Sequence, residues 1–209
     1  MSPSVLDDYR SQLRARAQKA EAAAPEPWRF PDALDFCPNR YVLAFDATLT
    51  NCGWAFFCVC LGQVSVIDKG TIRPKTAEVG YLGTWDKADQ LRREVDGLVR
   101  RWKAADPRTR IVVEAPSVGG GSRTESSLIA GMLVWSGRSG ECAVVSATHV
   151  SSVLLGDPKI KSAPRKKAVK EAVVRLYPPA AGRDWNEHER DSLATGLVHL
   201  YDIDQRRQR

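Results

Sequence analysis

No stretch of this sequence approaches the roughly 20 consecutive apolar residues of a membrane-spanning helix, which excludes a helical membrane protein. The opening MSPSVLDDYR has no apolar centre of the kind a secretory signal carries, so the cytoplasm is the expected compartment. Cysteine is sparse and lacks a metal-finger pattern. Cys37, Cys52, Cys58, Cys60 and Cys142 are an odd set with no CxxC pair, as expected of reduced, half-buried thiols. Cys58 and Cys60 stand two apart on an expected strand, so a shared metal is the competing reading. Internal repeats and low-complexity tracts are absent as well. What is left is an ordinary globular composition over 209 residues, 43% hydrophobic and 27% charged, enough for one domain with a sizeable core. The balance of charge is +6 and the pI about 9.2, which favours a polyanionic partner.

Residues 4–24 have Val5, Leu6, Tyr9 and Leu13 at helical spacing and run into the proline-rich APEPWRFPDALDFCPN; residues 1–40 read as an N-terminal extension. Strands are expected at 41–46, 53–60 and 63–73. The first two are near-continuous apolar runs, as strands covered on both faces are. An amphipathic helix over 84–105 carries Leu91, Val95, Leu98, Val99 and Trp102. Then come a strand at 111–116, a GGGSR loop at 119–123, an apolar helix at 126–137 and a short strand at 142–147. A basic loop, GDPKIKSAPRKK, leads into a helix stopped by Pro178-Pro179, and a last helix runs from about Glu187 to Tyr201. Residues 204–209 form a basic tail. The order β-β-β-α-β-α-β-α-α argues for an α/β fold: a mixed sheet, three antiparallel strands first and crossover parallel strands after, with helices on both faces.

Two of the buried strands end on acids. The run Tyr41 to Phe45 stops at Asp46, and the turn that follows spends Ala-Thr-Leu-Thr-Asn-Cys before Gly53 rather than the Asn-Gly or Asp-Gly of a tight hairpin. IVVEAP carries Glu114 near its end. If those strands lie side by side, both carboxylates share one end of the sheet. A third acid stands in WNEHERDSLATGL, where His188 and Asp191 are neighbours on one helical face. Asp191 sits at the margin of the stripe Leu193, Ala194, Leu197 and Leu200, which must face the sheet. Three carboxylates meeting at one place repel one another without a cation. Mg²⁺ takes oxygen ligands of this kind, and two such ions about 4 Å apart can activate water and stabilise the leaving oxygen in phosphodiester hydrolysis. The competing reading makes Asp46, Glu114 and Asp191 separate capping or surface acids.

The strand, acid, six residues, glycine and aromatic of FDATLTNCGWAFF resemble the opening of RuvC-type Holliday-junction resolvases in the RNase H-like superfamily. IVVEAP resembles that family's strand bearing the catalytic Glu, and HERDSLATGLVHLY its C-terminal helix; the resemblance spans about 41–203. It implies an RNase H-like nuclease domain over 41–203, with Asp46, Glu114, His188 and Asp191 as catalytic and metal-binding residues. It also implies Mg²⁺, with Mn²⁺ as a substitute, as the cofactor, two ions to a site. In one departure, His188 stands where the family most often has Asp. An imidazole there is a metal ligand or a general base, Glu187 and Glu189 compete for the ligand role, and a mere first-turn polar residue is the alternative.

PKIKSAPRKKAVK carries Lys159, Lys161, Arg165, Lys166, Lys167 and Lys170 and not one acid. Cations at a helix start oppose the helix dipole, which favours phosphate contacts over a merely solvated segment. Arg123, beside the triple glycine, is a candidate contact to a distorted junction centre, with a plain flexible linker as the alternative. SLIAGMLVW reads either as core or as a helix that packs across a two-fold axis, as the resembling family's dimer helix does. The function expected is a metal-dependent, structure-specific endonuclease that resolves four-way DNA junctions as a homodimer, in recombination, repair or phage genome processing. A flap, fork or RNA nuclease of the same fold is the first alternative, and a noncatalytic nucleic-acid-binding factor the second.

Overall fold

Five strands form the centre of the protein in the computed structural model, which describes residues 40–60, 63–115, 142–156 and 162–207. Strand β1 (Arg40–Ala47) pairs antiparallel with β2 (Cys52–Cys60), and β2 antiparallel with β3 (Gln63–Ile72). On the other side of β1 lies β4 (Arg110–Ala115), parallel to it, and then β5 (Cys142–Ser146), parallel to β4. The order β3-β2-β1-β4-β5 is the mixed sheet expected, with β1 in the middle. That position explains the unbroken apolar run: Val42, Leu43, Ala44 and Phe45 are all fully buried because helices cover both faces.

Alternation along β1 divides the core in two. Leu43 and Phe45 face α1 (Gly80–Ala105), whose Ala88, Leu91, Val95, Val99 and Trp102 form one stripe. Trp102 stacks on Phe56 with ring centres 4.0 Å apart. The helix begins before residue 84; Gly80 and Gly83 in its first turn weaken the helical signal there. Val42 and Ala44 face α2 (Ala147–Leu155), α3 (Ser162–Leu176) and α4 (Glu187–Arg207). Gly196 lets α4 settle onto the sheet, since a Cβ there would stand 2.7 Å from the Phe57 ring and 3.0 Å from Ala44.

Three expectations change. Residues 147–155 form a helix where only a strand end and loop were expected. Ser146 caps it by accepting the His149 N–H, and Gly156 closes it in the left-handed conformation at φ 69°. The basic segment is helical from Ser162, so Arg165, Lys166 and Lys167 lie on α3 rather than on a loop. Helix α4 passes Tyr201 and continues to Arg207, taking in most of the expected tail. The expected helices at 4–24 and 126–137 and the GGGSR loop lie outside the described residues. Among the described residues no helix is long and apolar enough to cross a membrane.

Candidate active site

The parallel pairing of β1 and β4 places Phe45 opposite Val113, so Asp46 and Glu114 follow side by side at the same end of the sheet. Both belong to the strand face that carries Val112 and Ala44, the face covered by α4. Helix α4 supplies the rest from across the layer. Its start is a capping box: the Glu189 N–H donates to the Asn186 side-chain oxygen at 3.0 Å, and the Asn186 N–H donates to the Glu189 carboxylate at 3.2 Å. The first turn then lies directly on β2 at Gly53, where an added Cβ would meet the His188 backbone at 2.3 Å. That close approach is why a glycine opens the second strand.

His188 Nδ1 stands 2.7 Å from Asp46 Oδ2. Asp191 follows on the same face, above the buried Leu193 and Ala194. The Thr195 hydroxyl, fully buried, lies 3.1 Å from Glu114 Oε2 and 2.9 Å from the Asp191 carbonyl oxygen. Its single proton serves one acceptor at a time. Thr195 was not foreseen; the only trace of it in the sequence is a hydroxyl one turn beyond Asp191 in an otherwise apolar stripe.

The acids and the imidazole line a cleft of about 180 Å³ together with Arg165, Lys166 and Glu187. Burial, then the charges of Asp46 and Asp191, push the Glu114 carboxyl up to about 8, against the Thr195 hydrogen bond. Burial, then Asp46 and Glu187, push Asp191 up to about 7. The Asp46 carboxylate, by accepting a hydrogen bond from the imidazole and then by its charge, raises the proton affinity of His188. Two carboxyls driven by burial and by neighbouring negative charge to hold protons near neutrality are a donor set that suits a hard divalent cation. In chemistry the set fits. In arrangement the His188 ring is closed onto Asp46, and among the described residues no group of three or more His, Cys, Asp or Glu side chains is placed to hold an ion as it stands.

The other candidates separate clearly. Glu189 is buried in the capping box and paired with Lys69 at 3.1 Å, away from the cleft. Glu187 lines the cleft but is bonded to the Lys166 ammonium, with both side chains more than half exposed. Arg165 and Lys166 border the acids, whereas Lys167 projects into solvent beside a neighbouring groove shared with Lys170 and Arg190. Arg123, Lys159 and Lys161 lie outside the described residues, as does the side chain of Cys60.

The chain matches no model of a known protein family and no curated protein. Among solved structures it is similar to RuvC of Thermus thermophilus, at 12% identity and a TM-score of 0.60, over 79% of this chain and 96% of that one. It is similar to T. thermophilus RuvC in complex with a Holliday junction substrate at 13% identity and a TM-score of 0.61, with the same coverage. The chain therefore has the fold of those RuvC structures, a mixed sheet flanked by helices on both faces.

Proposed function

We propose that this protein is a divalent-metal-dependent endonuclease that cuts branched DNA, with the four-way junction as its substrate. One observation carries the reading: Asp46 and Glu114 end adjacent parallel strands, and Asp191 and His188 meet them from α4 in one cleft edged by Arg165 and Lys166. Asp46, Glu114 and Asp191 would hold Mg²⁺ or Mn²⁺, two ions to a site, with His188 as a further ligand or as general base. Such ions supply an activated water and charge stabilisation at the leaving oxygen of a phosphodiester.

The chain's own residues do the rest. Arg165 and Lys166 neutralise phosphates flanking the scissile one and hold the backbone against the acids. His188 has Nδ1 against Asp46, which leaves Nε2 as the nitrogen that accepts a proton or binds an ion. Glu114 and Asp191 are half-buried, so charge placed beside them is screened less than in open solvent. One such site reaches one strand, so paired cuts across a junction need two copies about a two-fold axis.

Synthetic four-way junctions, forks, flaps and linear duplexes offered in Mg²⁺ and in Mn²⁺ test the reading. It predicts symmetric paired cuts in the four-way junction and little on linear duplex. Preference for flaps, or no cleavage of any branched DNA, would overturn it.

A further inference from the structure

The ladder that carries Asp46 continues across two more strands. Gly53 on β2 pairs with Asp46 on one side and with Thr71 of β3 on the other. The start of α4 is seated along this row. His188 bonds Asp46 and its backbone covers Gly53, while the Asn186 side-chain amide donates to the Thr71 hydroxyl at 2.8 Å. The row ends at Thr71 on the edge strand, and two residues back along β3, opposite Ala55 and on the same face, Lys69 forms an ion pair with the helix. Lys69 Nζ stands 3.1 Å from Glu189 Oε2, with the two side chains 20% and 7% exposed. Lys69 also donates to the Asp184 carbonyl, lies 3.5 Å from the Asp184 carboxylate, and sits over the Trp185 ring at 4.8 Å.

We infer that Lys69 and Glu189 are positioning residues that fix the first turn of α4 on the sheet and so hold His188 and Asp191 against Asp46 and Glu114. This rests on the nuclease reading above. Beyond this turn α4 meets the sheet mainly through apolar side chains such as Leu193, Leu197 and Leu200, with the Thr195–Glu114 hydrogen bond as an exception. Apolar contact is non-directional: it keeps a helix down but tolerates sliding and tilt. Hydrogen bonds and ion pairs prefer one geometry, and here they are gathered at the turn that bears His188. Without the Lys69 ammonium, the buried Glu189 carboxylate keeps its Asn186 donors within the same turn, but nothing charged ties that turn to β3. The reacting groups then lose alignment, while α3 keeps its place with Arg165 and Lys166, even though Glu187, the Lys166 partner, moves with the turn.

The test compares Lys69→Met with Lys69→Arg, and with His149→Ala, which releases the far end of α4 by removing a 2.9 Å bond to Asp202. In Lys69→Met, kcat on a four-way junction should fall about 10- to 100-fold, the scale of a small misplacement of reacting groups. KM should stay within about twofold, because ground-state binding is untouched. Lys69→Arg should restore most of the loss, and His149→Ala should keep its kcat. The His188 ring resonances, read by NMR without metal or DNA, should move in Lys69→Met and return in Lys69→Arg. Unmoved ring resonances in folded Lys69→Met overturn the inference, as does an equal kcat loss in His149→Ala. If Lys69→Met does not fold, Thr71→Val takes its place with the same two readouts. If the wild-type protein cuts no branched DNA, the nuclease reading fails by itself, and the His188 resonances still decide whether Lys69 places the turn.

Discussion

Glu114 is half-buried beside Asp46 and Asp191, with the Thr195 hydroxyl as a donor. Its ordinary value of 4.5 rises to about 8 in the folded, ion-free protein. A group that binds its proton more tightly when folded stabilises the fold while protonated. The contribution is therefore complete below about pH 4.5 and is lost as pH rises through about 8. Asp191, raised from 3.8 to about 7, and His188, raised from 6.5, act in the same direction. Thermal melts in a chelator should thus show a midpoint that falls as pH climbs across this window. Glu114→Gln should flatten the fall, and Mg²⁺ should reverse it by favouring the ionised acids. A midpoint in chelator that does not fall with pH would contradict this account of the cleft. Asp46 and Glu114 were legible as strand-end acids because a buried strand has no ordinary use for them. Thr195 and Lys69 were not, since their roles come from partners far away in the chain.

At the scale of elements, the position of α4 decides whether the acids meet. Gly53→Ala would place a methyl 2.3 Å from the His188 backbone, so the first turn must lift or β2 must bend. Cleavage should drop about 100-fold, as expected of roughly 1 Å of misalignment, while the protein stays folded on its two apolar layers. Activity assays beside a thermal melt check both halves. Helix α3 contributes charge instead. Lys166→Glu with Lys167→Glu should weaken junction binding and lower the slope of log K against log salt by about 2, one unit for each phosphate that is no longer neutralised. Stability should hardly change, because both side chains are largely exposed. Binding titrations at several salt concentrations read the slope directly. Helix α4 was legible from its stripe. Its capping box was not read in advance, although the Asn186-to-Glu189 spacing carries it, and it separates Glu189 from the ligand candidates. Helix α2 was hidden, because Thr148, Val150, Ser151, Ser152 and Val153 have weak helix propensity and the tertiary layer imposes the conformation.

For the whole molecule, the sheet acts as a rigid platform and the helices bring chemistry to one end of it. The fold class, strand directions and both-faced helical cover follow from run length and periodicity, which is why they were readable in advance. Registers and close approaches, such as Phe45 opposite Val113 or His188 on Gly53, depend on shape complementarity between distant segments and were not. The central claim is that one carboxylate cluster makes this fold a metal-dependent junction-cutting enzyme. It is tested most directly by junction cleavage in Mg²⁺ with Asp46→Asn, Glu114→Gln and Asp191→Asn, each of which removes a charge and keeps the shape. The account predicts that every one abolishes cutting and that all three still bind the junction in Ca²⁺ as the wild type does. Full cleavage by any one of them would contradict it.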